Sequence, residues 1–355
     1  MKSIREIKDF NGKSFLVRVD FDVPVSKEDK IEEPFRIIKQ KENLDYIISR
    51  GGIISIISHI SSIDSFSLII EELQSLLGYE IKLSSSIDSF KNKSPELIIL
   101  LDNIRKFDGE LENSEELANR LGAGFDYYIN NAFAVCHRNH SSVSAITKVL
   151  PSYAGLLVLE EVSFLSKALT ADPDGKVIII GGAKGETKLP VVKNFIDKAD
   201  KIIVGGVVAN DILKARGMDI SDSSIDKNLD NLIGGLDINS PKLVLPLDFT
   251  KKEDRILDLG PQSIDLFKSS LSGAKMVIWN GPLGLFEDPE FSYGTKEMAQ
   301  FLSELDCFRI IGGGDTILAI QLFSSLDKFD FISTGGGAML YFLSSQAMPG
   351  LEALK

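Results

Sequence analysis

The chain has 355 residues, with 51 Asp and Glu against 39 Lys and Arg and a formal charge of −12. That balance argues against nucleic acid or an anionic membrane as the main partner, because both reward a basic surface. No run reaches the roughly 18–20 uncharged apolar residues that a membrane helix needs, and the length favours two domains over one.

The first residues, MKSIREIKDF, carry charges where an export signal would have its apolar core. Cys136 and Cys307 lack CxxC or metal-site spacing, so reduced thiols in a cytoplasmic protein are expected. Short β-branched runs then recur between stretches of helical periodicity: SFLVRV (14–19), IISII (53–57), LIILL (97–101) and YYIN (127–130). The apolar segment AGLLVLEEVSFLSKAL (154–169) reads as a connecting helix, and the turn-rich LTADPDG (169–175) marks a boundary. Beyond it come KVIII (176–180), KIIV (201–204), KLVL (242–245), KMVIW (275–279), FRII (308–311) and FIST (331–334). Unbroken apolar strands alternating with helices predict parallel sheets covered on both faces. Eight of the 29 glycines fall in residues 1–174 and 21 in 175–355, which gives the halves different jobs.

The unusual residues sit just after the strands, where open parallel sheets bind ligands. In the first half these are Asp20, Asp22, Arg36, His59, Arg105, His137, Arg138 and His140. Singly, each reads more readily as a solvated surface group. As a set, Arg36, His59, Arg105, His137, Arg138 and His140 suit a small, highly anionic ligand: arginine forks match carboxylate and phosphate oxygens, and histidine adds a donor whose charge switches near neutral pH. In the second half the strands run into GGAKGETK (181–188), GG (205–206), WNGPLGLFE (279–287), GGGDT (312–316) and GGGA (335–338). Such turns let backbone N–H groups approach phosphate. Neither GxxxxGK[ST] nor GxGxxG is present, which sets aside a P-loop and a dehydrogenase. Lys184, Lys188 and Asp315, an acid able to face a metal, favour a nucleoside di- or triphosphate.

In order, RVDFDVP, SH, NNAFAVCHRNHSS, GGAKGETK, WNGPLGLFE, GGGDT, STGGGA and MPGLEAL resemble the signature segments of phosphoglycerate kinases over essentially the whole chain. The resemblance implies an α/β fold of two doubly wound, Rossmann-like domains with parallel sheets, joined by a hinge helix. Residues 1–153 would bind phosphoglycerate, with a tail near 343–355 returning to them. Residues 154–170 would connect, and 171–342 would bind nucleotide. It implies reversible Mg²⁺-dependent phosphoryl transfer between 1,3-bisphosphoglycerate and ADP, giving 3-phosphoglycerate and ATP, by domain closure in a monomer without nucleic-acid or membrane partners. Substrate would meet Asp20, Asp22, Arg36, His59, Arg105 and Arg138. Nucleotide would meet Lys184, Lys188, Gly205, Gly206, Asn280, Pro282, Glu287, Gly313, Gly314, Asp315 and Thr316, with Asp315 toward the metal. Arg36, Lys184, Gly314 and Gly336 would serve the transferring phosphoryl group, with Gly335 and Gly337 helping to hold it. A Cys136 thiolate paired with His137 is the less favoured reading.

The match departs from the family at Ser62 (SHISSI, where an arginine is usual), Asp22 (usually asparagine), Asn131 and Thr187 (both usually acids). These departures predict weaker acceptor binding with the transfer step intact. They leave two alternatives: a nucleotide-binding member turned regulatory, and a kinase for a different carboxylic acid.

Overall fold

The computed structural model describes residues 1–91 and 93–355. The chain divides into two compact units, one of Met1–Ser163 with Ala347–Lys355 and one of Phe164–Gln346. The division falls within the helix Leu156–Thr170. Among the described residues no helix is long and apolar enough to cross a membrane.

The first unit holds strands β1 (Ser14–Arg18), β2 (Ile53–Ile57), β3 (Ile81–Ser84), β4 (Ile98–Leu101), β5 (Tyr127–Asn130) and β6 (Ser152–Ala154). They form one sheet in the order β3-β4-β2-β1-β5-β6, every pairing parallel. β1 is buried along its whole length. Phe15 and Val17 enter one core cluster while Leu16 joins another with Ile57 and Tyr128, as the two-residue period of a strand covered on both faces requires. Each such apolar side chain contributes about 1.5–3 kcal/mol by leaving water. The C-terminal residues pack on this unit: Lys2 N donates to Leu354 O at 3.0 Å and Gly350 N to Cys136 O at 2.8 Å.

The second unit holds β7 (Lys176–Ile180), β8 (Lys201–Val204), β9 (Leu243–Val244), β10 (Phe249–Lys252), β11 (Arg255–Leu259), β12 (Met276–Asn280), β13 (Phe308–Gly312) and β14 (Phe331–Ser333). Six of them make a parallel sheet ordered β14-β13-β12-β7-β8-β9, and β10 and β11 form a separate antiparallel hairpin. Both large sheets reverse their strand order beside a central strand, β1 in one and β7 in the other. The crevice beyond the carboxyl ends at such a reversal is where ligands bind in doubly wound sheets.

All ten strands expected from apolar runs are present. Four were not anticipated. β3 and the three-residue β6 are edge strands, the former with an exposed and a half-buried residue between buried ends. The β10–β11 hairpin is largely exposed and turns through Glu253 and Asp254 at positive φ. None of these offers the buried apolar run by which the others are legible.

Candidate active site

In the first unit the chain leaving β1 carries Asp20 and Asp22, the chain leaving β2 carries His59, and those leaving β4 and β5 carry Arg105 and residues 137–140. The structure brings these ends into one connected set. Asp22 Oδ1 accepts from Ser61 N at 2.7 Å, and Asp22 Oδ2 lies 3.2 Å from His59 Nε2. Burial alone would raise the Asp22 carboxyl, but the hydrogen bonds from His59 and Ser61 prevail and hold it well below the usual carboxylate range. Arg36 Nη1 donates to Asp22 O at 2.9 Å and stands 3.9 Å from Asp20 Oδ2. That Asp20 oxygen is buried and accepts no hydrogen bond.

Arg105 Nη1 donates to Ser61 Oγ at 2.8 Å, while its Nη2 is buried without a partner. Burial, then the positive charge of Arg138, lower the Arg105 guanidinium. Two crowded cations, one with an idle donor, are a site that gains when an anion enters. Ser62, standing where the family resemblance sets an arginine, donates its hydroxyl to Val23 O at 2.8 Å. Asn131 is fully buried; its amide donates to Gln40 and accepts from Leu157 N, so it braces the sheet rather than facing the patch.

Burial bears on the charge of the histidines. Burial and then Arg138 push both His137 and His140 down to about 4. Burial lowers His59 too, against the pull of Asp22. His137 and His140 are therefore neutral at pH 7, and burial biases His59 toward the neutral form. Cys136 is fully buried with its thiol pushed up to about 12 by burial, so there is no thiolate to pair with His137.

Arg18 was not singled out from the sequence. It is 1% exposed, with Nε donating to Ser142 Oγ at 3.1 Å and Nη1 to Val19 O at 2.6 Å. Ser142 Oγ in turn donates to Glu110 Oε1 at 2.6 Å, so a buried guanidinium and a buried carboxyl face each other through one hydroxyl. A cation inside an otherwise apolar strand was the available signal, since burying one without partners is costly.

In the second unit the loops after β7, β8, β12, β13 and β14 converge closely. A Cβ on Gly181 would stand 2.2 Å from Pro282 O, one on Gly206 would stand 2.6 Å from Gly182 N, and one on Gly336 would stand 2.8 Å from Gly313 Cα. These contacts exclude any side chain at Gly181, Gly206 and Gly336. Asn280 Nδ2 donates to Gly312 O at 2.8 Å, and Gly281 N donates to the fully buried Thr316 hydroxyl at 2.7 Å. Asn280 and Thr316 therefore tie the loops together. A cavity of about 260 Å³ opens beside them, lined by Gly182, Gly206, Pro282, Glu287 and Asp315 among others.

Lys184 is exposed at the N-cap of the helix Gly185–Phe195, and Lys188 one turn on is buried, its ammonium donating to Gly181 O. Burial lowers Lys188 to about 8, against the attraction of Asp315. Gly313, at φ +101°, turns the chain into the helix Gly314–Phe323, which puts Asp315 in the first turn. Gly205 is buried ahead of the helix Gly206–Ala215. Thr187, in the place of an acid, donates its hydroxyl to Lys184 O at 3.1 Å.

Among the described residues no three His, Cys, Asp or Glu side chains converge as a metal cage. A magnesium ion carried on nucleotide phosphates needs only one or two protein carboxylates. The exposed Asp315 carboxylate at the cavity wall fits that requirement.

A family profile described as phosphoglycerate kinase matches residues 4–346. The phosphoglycerate kinase of Thermosipho africanus is 36% identical over 99% of this chain and 97% of its own length. That of Helicobacter hepaticus is 34% identical over 100% and 96%. Among solved structures, phosphoglycerate kinase from Pyrococcus horikoshii superposes with a TM-score of 0.88 at 27% identity, covering 100% of this chain and 98% of that one. The Coxiella burnetii enzyme gives 0.83 at 29%, covering 99% and 98%. With the profile matched over nearly the whole chain, relatives covered almost end to end and the fold shared, the chain belongs to the phosphoglycerate kinase family.

Proposed function

We propose that the chain transfers a phosphoryl group between a nucleotide held by the second unit and the carboxyl group of a phosphoglycerate held by the first. The observation that carries this is the cationic crowding of Arg105 and Arg138, with a buried Arg105 donor left idle. Among the described residues none accepts a hydrogen bond from that donor, and an acceptor bearing a carboxylate and a phosphate would. Asp20 Oδ2, an acceptor without a donor, would take a hydroxyl of the same ligand.

The chemistry asks little of proton transfer. A carboxylate acceptor is already ionised at neutral pH, so no general base is required, and histidines that burial biases toward the neutral form agree with that. What remains is placement and charge neutralisation. Arg36 and Lys184 neutralise the transferring group. Gly313 to Thr316 and Gly335 to Gly337 supply backbone N–H groups, including the two glycines, Gly314 and Gly336, that open their helices. The nucleotide lies along Gly205, Gly206, Asn280, Pro282 and Glu287, with Lys188 behind its phosphates. Asp315 would hold Mg²⁺, whose charge offsets that of the phosphates. Direct in-line transfer then calls for closure about the helix Leu156–Thr170.

On this reading the partners are small molecules: 3-phosphoglycerate, 1,3-bisphosphoglycerate, ATP and ADP. The enzyme works as a monomer in the cytoplasm, and the two unpaired thiols, Cys136 and Cys307, suit a reducing compartment. The test is a coupled assay of ATP turnover with 3-phosphoglycerate and Mg²⁺, scanned to high acceptor concentration. Saturable turnover that Arg36→Ala abolishes supports the reading. Absent turnover with ADP still bound in a calorimeter would remove the acceptor half of it.

A further inference from the structure

We infer that Arg18 is a positioning residue that fixes the tautomer of His59 in the acceptor patch. Arg18 Nη2 lies 3.2 Å from His59 Nδ1. A guanidinium has donors only and does not lose its proton. His59 Nδ1 must therefore present its lone pair, which leaves the single ring proton on Nε2. From there it donates to Asp22 Oδ2 across 3.2 Å. The chain of bonds Arg18–His59–Asp22 has one direction, and each link is set by the one before it.

The direction matters because Asp22 brings a carboxylate to a patch meant for an anion. With Nε2–H on one oxygen and Ser61 N on the other, both oxygens of Asp22 are held by donors, which blunts its repulsion of an incoming anion. The opposite tautomer would set a lone pair against Asp22 and an N–H against the guanidinium, wrong at both ends. A cationic ring would put N–H against Arg18 as well. The charged groups acting on His59 are Arg18, Asp22 and Asp20 from the chain around β1. His140, from the loop after β5, and Arg105 and Arg138 belong to the same electrostatic cluster, and Glu110 faces Arg18 through Ser142. Arg18 is 1% exposed and His59 2%, so water does not screen the pair.

This inference rests on the acceptor site proposed above but is tested without turnover. The chain has three histidines, so long-range proton–nitrogen NMR of the ¹⁵N-histidine-labelled full chain resolves each ring, with His59→Gln identifying the signals of His59. The expected result is an Nε2–H tautomer whose protonation lies below the ordinary histidine value. An Nδ1–H tautomer, or a ring that titrates near its ordinary value of about 6.5, would overturn the assignment in the unaltered protein. Arg18→Met then frees the ring: tautomers mix, and with one neighbouring cation gone His59 protonates at a higher pH than in the parent. In kinetics the ratio of KM for 3-phosphoglycerate between Arg18→Met and parent is raised at pH 8 and shrinks toward pH 6, while kcat and ADP affinity hold. Arg18→Lys, which keeps a donor for Nδ1, restores a flat ratio. A ratio independent of pH in Arg18→Met, with ADP affinity intact, would mean that Arg18 is only a structural cation. Lack of turnover in the unaltered chain alongside a fixed tautomer would sink the proposed activity and leave this inference standing.

Discussion

Asp211 and Asp226 each aim a carboxylate oxygen at the bare face of Gly185: a Cβ built there would stand 2.4 Å from Asp211 Oδ2 and 2.4 Å from Asp226 Oδ2. Gly185 N donates to Asp226 Oδ2 at 2.8 Å, and Asp226 N donates to Asp211 Oδ1 at 2.9 Å. Two acids and the first turn of the helix Gly185–Phe195 thus form one joint beside Lys184. The fully buried Asp211 has its carboxyl pushed up to about 7, by burial first and then by Asp226.

Replacing a helical glycine with alanine ordinarily stabilises by roughly 0.5–1 kcal/mol. Here the added methyl meets two carboxylate oxygens, and overpacking of this kind costs about 1–3 kcal/mol. Gly185→Ala is expected to lower the urea midpoint of unfolding. A raised midpoint would show that the carboxylates step aside freely.

The raised Asp211 carboxyl makes stability fall as pH rises. Its ordinary value is 3.8 and its folded value about 7, so the folded chain retains a proton that the unfolded chain has released between those values. The contribution is complete below about pH 4 and is lost as pH passes through about 7. Asp211→Asn mimics the protonated acid. It should match the parent below about pH 4 and exceed it in unfolding midpoint by a margin that grows up to about pH 7 and then levels off. Two curves that stay parallel over that range would mean that Asp211 does not titrate there.

Lys188, lowered to about 8 by burial, is partly neutral in mildly alkaline solution. A bound phosphate stabilises the ammonium and raises its pKa, so ADP binding should take up protons near pH 8 and weaken as pH rises further. Calorimetry in two buffers of different ionisation enthalpy reads that uptake directly. Lys188→Met removes the uptake and costs ten- to a hundred-fold in affinity, the worth of one charge-assisted hydrogen bond of about 1.5–3 kcal/mol. Equal heats in both buffers for the parent would place Lys188 away from the phosphates.

Ser62 spends its hydroxyl on Val23 O and adds no charge to the patch. Ser62→Arg should lower KM for 3-phosphoglycerate by about tenfold or more, the gain of one charge-assisted bond, with kcat nearly unchanged. An unchanged KM would show that the acceptor in this chain lies beyond reach of position 62.

The fold was readable because its central strands are buried on both faces. Runs such as IISII and KVIII have few other destinations, and every one of them became a strand. The edge strand Ile81–Ser84 and the hairpin Phe249–Leu259 were missed because a strand with an exposed face looks like any polar segment. The site was readable in outline for a related reason. Glycines that leave no room for a side chain, such as Gly181 against Pro282 O, and cations gathered after strands have left their mark in local composition.

Charge state was not readable. Whether His137 and His140 carry protons depends on how much water the fold removes from them and on Arg138 beside them. The same holds for Arg18, whose partners His59 and Ser142 lie 41 and 124 residues away in sequence, and for Asp211, which meets Asp226 across Gly185. Local order of residues settles which segments become strands and which turns demand glycine, because those depend on neighbours along the chain. Desolvation and hydrogen-bond direction arise between distant segments, and only the packed structure decides them.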